Sequence, residues 1–428
     1  MAVSRGRPRR LPAGSGSGGR RRVEPSPVEP SPVEVVEVET TAMAVGGDAL
    51  GRGPDGRVVF VEGALPGETV RAEVYDERDR YRRARAVGVL VGSPGRVAAP
   101  CPFVALGCGG CGWQHVEPGL QRRLKVGMVS EALSRLGGVG TPRVDEVTAA
   151  GPFGYRTTVR LAVVPGGGRP GGAAFRAPRS HRLVEVDDCL AAHPRIASAI
   201  ATSRFGVAEQ AVLRVGARTG EGLALLTPGA GRARVAAGFE VVGADELAAG
   251  HQAAYHEVVA GRRLRVSAAS FFQSSPEGAE ALAREVRSAL SGAGPGLLVD
   301  AYAGVGLFGA TTGWPGAVVA VESSSSSVAD ARVNLEGAEV VRADVGQWAP
   351  RPAAAVVADP PRPGLGRAAA GVLAATGAPV LVLVSCDAGA LGRDAGLLAG
   401  HGFRLERTVV VDLFPGTPHV EAVSLFRR

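Results

Sequence analysis

The chain has 428 residues, 45% of them hydrophobic, which predicts a globular protein of two or three domains. It has no apolar run of the roughly 18 or more residues that a membrane span requires, and its arginine-rich start has no signal-peptide core, so we expect a soluble cytoplasmic protein without a membrane partner. The net charge of +7 arises from seven arginines in residues 1–22, and the remaining 41 basic and 41 acidic residues cancel. Overall charge is therefore weak grounds for a nucleic-acid partner.

The first two segments are distinguished by composition. Residues 1–33 are rich in Arg, Gly, Ser and Pro, which predicts a disordered basic tail. Residues 34–95 alternate short Val-rich strands with Gly, Pro and Asp turns, a pattern typical of a small antiparallel β-barrel. Tyr81 lies among arginines in this segment, which suits RNA phosphates and a stacked base but also fits a solvated edge strand. These arginines are Arg78, Arg80, Arg82, Arg83 and Arg85.

A mainly-β central domain is predicted over residues 96–275, where four of the five cysteines lie. Three of them form the run CPFVALGCGGC, and cytosolic thiolates this close together are more often metal ligands than disulfide partners. With a fourth sulfur they could hold a tetrahedral zinc ion or a [4Fe–4S] cluster. Zinc remains an alternative because His115 and His193 lie close in sequence to these cysteines. The candidate ligands are Cys101, Cys108, Cys111 and Cys189.

Residues 276–428 alternate helical and apolar strand patterns, which predicts a Rossmann-like, doubly wound α/β domain. In VDAYAGVGLFG, a strand ends at Asp300 and Tyr302 and a glycine turn follows. Glu322, at the next acidic strand end, is placed for a ribose diol, and Asp344 for an adenine edge. The pattern D-x-Y-x-G-x-G is similar to the S-adenosylmethionine motif of class I methyltransferases. A dinucleotide site is the alternative.

Three reactive side chains follow or enter strands of this domain. Asp359 begins the stiff loop DPPRPG, and Cys386 follows the apolar run VLVLVS. Cys386 could be a small buried hydrophobe, yet it is the cysteine left over once four are assigned to a metal. Glu421 enters an apolar strand, where a carboxylate needs a partner or a function.

Together these motifs resemble the RNA uracil-5-methyltransferase family, of the iron–sulfur type with an N-terminal TRAM domain. The resemblance spans about residues 35–428. It is carried, in the family's order, by CPFVALGCGGC with Cys189, FFQSSPEGAEAL, VDAYAGVGLFG, ADPPRPGL, VSCDAGALGRD and DLFPGTPHVEAV.

The resemblance implies a mechanism and a set of partners. Cys386 matches the nucleophile that adds to carbon 6 of a flipped uracil, and Glu421 matches the base that removes the carbon-5 proton. The cysteines match the ligands of a structural, RNA-contacting [4Fe–4S] cluster, and the barrel matches the RNA-binding TRAM module. We expect a monomer that acts on ribosomal or transfer RNA. The positions matching those that line S-adenosylmethionine are Gln273, Tyr302, Glu322 and Asp359.

Three departures and two alternatives accompany the resemblance. The first cysteine spacing is six residues where the family usually has five, Asp387-Ala388 replaces the usual Asn-Pro, and Leu307 replaces a polar residue.

An amino-group methyltransferase would share the fold and the DPPR loop but would need no cysteine nucleophile. A non-catalytic RNA-binding iron–sulfur protein is the other alternative. We further hypothesise that the Cys386 thiol is activated through protonation of the uracil carbonyl rather than in the free protein.

Overall fold

A closed β-barrel begins the described part of the chain, which in this computed structural model comprises residues 34–166 and 171–428. The basic tail predicted over residues 1–33 lies outside the described residues. The barrel strands are β1 (Val35–Met43), β2 (Ala49–Arg52), β3 (Val58–Glu62), β4 (Thr69–Glu77) and β5 (Tyr81–Val91). They close in the order β1, β2, β3, β5, β4, and alternate valines fill the interior. The pairs are antiparallel as predicted, except that β3 and β5 are parallel because β5 returns beside β3.

The segment after the barrel packs against the C-terminal part of the chain. It contains α1 (Pro102–Ala105), α2 (Pro118–Arg135) and β6 (Val144–Thr148). β6 pairs in parallel with β20 (Arg404–Asp412), and α2 packs on α9 (Ala388–Gly400). Although it lies within the segment predicted as the central domain, this stretch extends the C-terminal sheet. The domain boundaries themselves stay a prediction.

A six-stranded sheet forms the central region, in the order β12, β11, β10, β7, β8, β9. The strands are β7 (Thr158–Val163), β8 (Ala173–Arg176), β9 (Leu183–Glu185), β10 (Gln210–Val215), β11 (Gly222–Thr227) and β12 (Glu240–Gly243). The helices are α3 (Pro194–Thr202) and α4 (Ala244–Ala248), and the hairpin β13 (Ala254–Val259) and β14 (Arg262–Ser267) follows. Ile196 and Ile200 of α3 pack into the core of this sheet.

The C-terminal sheet has eight strands in the order β17, β16, β15, β18, β19, β21, β20, β6. Its remaining strands are β15 (Leu298–Ala301), β16 (Val318–Glu322), β17 (Glu339–Arg342), β18 (Ala355–Ala358), β19 (Val380–Ser385) and β21 (Ala422–Arg427). The remaining helices are α5 (Pro276–Leu290), α6 (Leu307–Thr311), α7 (Ser325–Asn334), α8 (Gly366–Ala375) and a 3₁₀ helix over Val345–Gln347. The fold class is therefore the predicted mixed α/β class, with a Rossmann-like sheet preceded by a barrel.

Helices cover both faces of this sheet and leave one crevice at its edge. Helices α2, α8 and α9 contribute to the core on one face, and α5, α6 and α7 contribute to the cores on the other. The strand order reverses between β15 and β18, so the loops after these strands diverge and leave an opening at the carboxyl edge. Over residues 34–166 and 171–428, the structure contains no helix with the length and apolar character needed to cross a bilayer.

Candidate active site

Three of the predicted site residues meet at the carboxyl edge of the C-terminal sheet. Asp359 directly follows β18, Cys386 directly follows β19, and Glu421 directly precedes β21. β21 runs antiparallel to β19, and Ser385 lies opposite Ala422. One position beyond this pair, Cys386 therefore lies across from Glu421. Charges on Glu421 and Asp359 both act on the Cys386 thiol. One thiol and two carboxyl groups therefore share the crevice.

The surroundings of Cys386 oppose ionisation of its thiol. Burial, and then the charges of Glu421 and Asp359, raise the pKa of Cys386 to about 11, while Arg362 acts in the opposite direction. At neutral pH the thiol is therefore protonated in the free protein. This direction agrees with the hypothesis that the nucleophile is generated only when substrate is bound.

Glu421 is a buried acid, with only 3% of its surface exposed. Burial and the charge of Asp359 raise the pKa of Glu421 well above its usual range, against an opposing effect of Arg362. Its carbonyl oxygen accepts a hydrogen bond from the amide of Val411 at 2.8 Å, which fixes its backbone beside β20. A carboxylate with a raised pKa is a stronger base and suits removal of a carbon-bound proton.

Gln273 reaches the same crevice from the connection between β14 and α5. Its buried side chain donates from Nε2 to Oδ2 of Asp359 at 3.5 Å. Burial and the charge of Asp300 raise the pKa of Asp359 to about 7. Near neutral pH the Asp359 carboxyl group can therefore act as a donor or as an acceptor towards the edge of a base.

The glycine turn after β15 shapes the predicted cofactor surface. The Gly304 amide donates to Oε2 of Glu322 at 2.9 Å, and the Ser324 amide donates to Oε1 at 2.7 Å. Tyr302 has a φ of +57°, a left-handed conformation that costs energy for a residue with a side chain and is concentrated at functional sites. The Glu322 carboxylate is thus held at the strand end, with lone pairs left for a diol.

Two further acids flank this surface. Oδ2 of Asp300 accepts from the Gly309 amide at 2.9 Å, and burial raises the pKa of Asp300 to about 7. Asp344 caps the 3₁₀ helix by accepting from the Gly346 amide at 2.8 Å. Burial, and then the charge of Asp344, raise the pKa of Tyr302 to about 12. The structure therefore brings three of the five predicted cofactor residues, Tyr302, Glu322 and Asp344, to the ends of the consecutive strands β15, β16 and β17.

Sequence reasoning missed two residues beside the crevice, Arg362 and His419. Burial, and then the charge of Arg362, lower the pKa of His419 to about 4, so its ring is neutral at physiological pH. Arg362 also opposes the raised pKa values of Cys386 and Glu421. It lies in the motif DPPRPG, but a stiff loop gives no sign of where its arginine points.

Phe271 is a third residue that sequence reasoning did not select. It lies two residues before Gln273, and 68% of its surface is exposed. Such exposure leaves an aromatic ring open to solvent close in sequence to Gln273. The doubled aromatic in FFQSSPEGAEAL was the available signal, since the neighbouring Phe272 is the buried one.

The four predicted metal ligands line one cavity of about 30 Å³, together with Arg156. They are Cys101, Cys108, Cys111 and Cys189. Burial is the main cause that raises the pKa of Cys108, and it raises the pKa of Cys189 to about 11. The charges of neighbouring thiols act in the same direction, whereas hydrogen bonds from backbone amides act in the opposite direction. Within the described ranges, 34–166 and 171–428, no group of three or more His, Cys, Asp or Glu is arranged to hold a metal ion. His193 instead caps α3 by accepting from the Arg195 amide at 3.3 Å.

The arginines around Tyr81 are partly neutralised. Arg78 pairs with Asp76 at 3.1 Å, Arg82 with Glu77 at 3.0 Å, and Arg85 with Glu62 at 3.5 Å. The ring of Tyr81 packs edge-on against Phe60 at 5.6 Å, and Arg83 lies over Phe60 at 5.1 Å. This barrel surface combines aromatic rings with a guanidinium, as the RNA interpretation requires, but carries less free positive charge than the sequence suggested.

Comparisons with known proteins agree with this geometry. The TRAM domain family matches residues 32–87. An uncharacterized RNA methyltransferase of Streptomyces avermitilis is 35% identical over 419 residues, which cover 90% of this chain and 96% of that protein. The 23S rRNA (uracil(1939)-C(5))-methyltransferase RlmD of Chromohalobacter salexigens is 31% identical over 428 residues, covering 90% of this chain and 88% of that protein.

A solved structure shows the same fold. The tRNA (uracil-54, C5)-methyltransferase of Pyrococcus abyssi, in complex with S-adenosyl-L-homocysteine, superposes with a TM-score of 0.68 at 23% identity. The match covers 91% of this chain and 100% of that one. With the barrel, the crevice and the sequence relatives all in agreement, the chain belongs to the RNA uracil-5-methyltransferase family.

Proposed function

We propose that this protein methylates carbon 5 of a uridine in RNA, with S-adenosylmethionine as methyl donor and through a covalent bond between Cys386 and carbon 6. The observation that carries the proposal is the strand register that sets Cys386 across from Glu421. Methylation of an exocyclic amine requires neither a nucleophilic thiol nor a base facing it. S-adenosylmethionine supplies an electrophilic methyl group.

In the first step the Cys386 sulfur bonds to carbon 6 and the uracil carbonyl at carbon 4 gains a proton or a strong hydrogen bond, which makes carbon 5 nucleophilic. Asp359 is suited to provide that hydrogen bond, because its pKa of about 7 keeps part of it protonated at neutral pH. As the bond forms, the thiol proton passes to the carbonyl oxygen at carbon 4, and the electron pair of the double bond between carbons 5 and 6 moves to give an enol across carbons 4 and 5. The raised pKa of Cys386, about 11, is thus overcome only in the presence of uracil.

In the second step carbon 5 bonds to the methyl carbon as the bond from that carbon to the sulfonium sulfur breaks, so S-adenosylhomocysteine leaves and the carbonyl at carbon 4 re-forms with release of its proton. Glu421, in its ionised form, then removes the remaining carbon-5 proton. The electron pair of that bond forms the double bond between carbons 5 and 6, and the bond from carbon 6 to sulfur breaks. Cys386 is then free for another cycle. The raised pKa of Glu421 strengthens it as a base for this proton.

The cofactor surface is inferred from the strand ends beside this centre. Glu322, with both oxygens fixed by backbone amides, is suited to a ribose diol, and Asp344 to an adenine edge. Tyr302 offers a ring face between them. Gln273 and Asp359 complete the side nearer to the target base. We further infer that the exposed ring of Phe271 stacks on a flipped nucleotide base.

The four cysteines support a [4Fe–4S] cluster better than zinc. A zinc ion held by these four cysteines alone requires all four sulfurs at about 2.3 Å from a single centre. No group that compact occurs within residues 34–166 and 171–428, whereas the four thiols do line one shared cavity. The four thiolates would hold a cluster, and Arg156 would offset part of their charge. Anaerobic purification with iron and sulfide analysis tests this, and Cys189→Ser should lose the iron.

RNA is the partner that the barrel and the family support. The relative in Chromohalobacter acts on 23S rRNA and the Pyrococcus structure is of an enzyme acting on tRNA, so both are candidate substrates here. We infer a monomer, since one chain supplies every proposed catalytic and cofactor residue. A cytoplasmic location fits both an RNA substrate and five free thiols.

The experiment that tests the proposed function uses RNA containing 5-fluorouridine. Fluorine at carbon 5 removes the proton that Glu421 takes, so the reaction should stop as a covalent adduct. Mass spectrometry of the chain incubated with fluorinated 23S rRNA or tRNA transcripts and S-adenosylmethionine should locate that adduct on Cys386. If RNA binds but no adduct forms, the proposal is wrong.

A further inference from the structure

The only lysine of the chain is buried. Lys125 lies on α2, and 1% of its surface is exposed. Its Nζ donates to Oδ1 of Asp412 at 2.8 Å and to the carbonyl oxygen of Phe414 at 3.0 Å. A buried ion pair stabilises a fold little compared with apolar residues of similar volume. The main contribution of this ion pair is therefore to hold the backbone in place rather than to stabilise the fold.

The backbone that Lys125 contacts is held from the same side by three more residues. The amide of Gly416 donates to Oε1 of Gln121 at 2.7 Å, one helical turn before Lys125 on α2. The Tyr155 hydroxyl donates to the carbonyl of Pro415 at 3.0 Å, and the Trp113 amide donates to the carbonyl of Gly416 at 2.8 Å. Residues 113–155 thus fix both polar groups of Gly416 and the carbonyls of the two residues before it.

This contact continues towards Glu421. The carbonyl of Phe414 that accepts from Lys125 also accepts from Oγ1 of Thr417 at 2.9 Å. Oγ1 of Thr417 accepts in turn from the amide of His419 at 3.3 Å. A hydrogen-bonded path therefore runs from the buried ammonium to a residue two positions before Glu421.

We infer that Lys125 is a positioning residue that holds the connection between β20 and β21 so that Glu421 can remove the carbon-5 proton. This inference rests on the proposed function. Because Glu421 acts after the methyl group has moved, loss of Lys125 should slow product release and leave attack by Cys386 intact. The methylated covalent adduct should then accumulate, a result that a merely structural role would not produce.

The decisive variant is Lys125→Met combined with Asp412→Leu. Lys125→Met alone leaves the Asp412 carboxylate buried without its cation, which is expected to destabilise the fold. The double variant replaces the pair with apolar residues, which preserves stability, yet still lacks the contact with Phe414. Tyr155→Phe is a milder second variant that removes one hydroxyl and keeps the ring. Arg135→Ala, at the exposed end of α2, is the matched control.

The assay mixes each full-length variant with S-adenosylmethionine and whichever unmodified transcript, 23S rRNA or tRNA, the wild type methylates. Adduct and free 5-methyluridine are measured after denaturing quench. We expect the double variant to release product roughly ten-fold or more slowly and to accumulate methylated adduct as Glu421→Gln does, with a smaller effect for Tyr155→Phe. Wild-type release by a stably folded double variant would overturn the inference. If Glu421→Gln itself formed no adduct, the proposed function would fail and this inference with it.

Discussion

Arg362 donates a hydrogen bond from Nη2 to Nδ1 of His419 at 3.1 Å, and this contact ties the loop after β18 to the loop before β21. Asp359 begins the first of these loops and Glu421 ends the second. The guanidinium also opposes the raised pKa values of Cys386 and Glu421. It is therefore a cation shared by two groups that ionise during the proposed reaction.

Arg362→Gln should make Cys386 harder to ionise. Removing the guanidinium raises the thiol pKa further, so alkylation of Cys386 in the free protein should need a higher pH. We expect a several-fold lower alkylation rate at pH 9, measured by mass spectrometry of the Cys386 peptide. Arg367→Gln, on the exposed start of α8, is the control, and an unchanged pH profile in Arg362→Gln would contradict the assigned charge effect.

Substitutions at the two facing residues should separate the two halves of the reaction. Cys386→Ala should abolish both adduct and product, because no bond to carbon 6 can form. Glu421→Gln should form the adduct, transfer the methyl group and then stall, because the amide cannot remove the carbon-5 proton. Denaturing gels with radiolabelled S-adenosylmethionine distinguish these outcomes. Methylation by Cys386→Ala at the wild-type rate would favour amino-group chemistry.

Asp300→Asn should flatten the dependence of stability on pH. In the folded protein the pKa of Asp300 is raised to about 7, so between its ordinary value and pH 7 the folded state binds more protons than the unfolded state. The free energy of unfolding therefore falls as pH rises through this window, by at most roughly 4 kcal/mol from this group. Denaturant unfolding at pH 5 and pH 8 should show a smaller fall in the variant. An equal fall in both proteins would exclude Asp300 as a source.

The Asp387-Ala388 departure from the family pattern has a structural answer. Oδ1 of Asp387 accepts from the Ala390 amide at 2.7 Å and caps α9, directly after Cys386. Asp387→Asn should keep this cap and change the free energy of unfolding little, whereas Asp387→Ala should cost about 1 kcal/mol. Thermal or denaturant unfolding measures both. Equal losses in the two variants would show that the charge, rather than the cap, matters.

Much of the site was predictable because the loops that follow parallel strands all lie at the carboxyl edge of the sheet. The apolar runs before Asp359 and Cys386 identify buried strands, and their ends must then share that edge. The position of Glu421 relative to Cys386 was not derivable from pattern alone. It depends on β21 running antiparallel to its neighbour, and pairing direction is set by tertiary packing. Only the family resemblance indicated that these two residues act together.

Other features escaped sequence reasoning for different reasons. The β6 sequence, VDEVT, has too few apolar residues to reveal a strand or its partner. The arginines near Tyr81 suggested free positive charge because their acidic partners, such as Glu62, lie on other strands. The role inferred for Lys125 depends on contacts with residues nearly three hundred positions away in the chain. None of these relationships leaves a local periodic signal.

The parallel pairing of β6 with β20 makes the C-terminal sheet depend on residues 144–148, which precede the whole central sheet. A fragment beginning at residue 276 would leave β20 with an open row of amides and carbonyls and would strip α2 from α9. Such exposed strand edges template association with other chains. During synthesis, residues 144–148 must also wait for the last strands to emerge before their pairing can form. Residues 144–148 and the last strands are therefore expected to fold together in a single late event, and a truncated C-terminal half to aggregate.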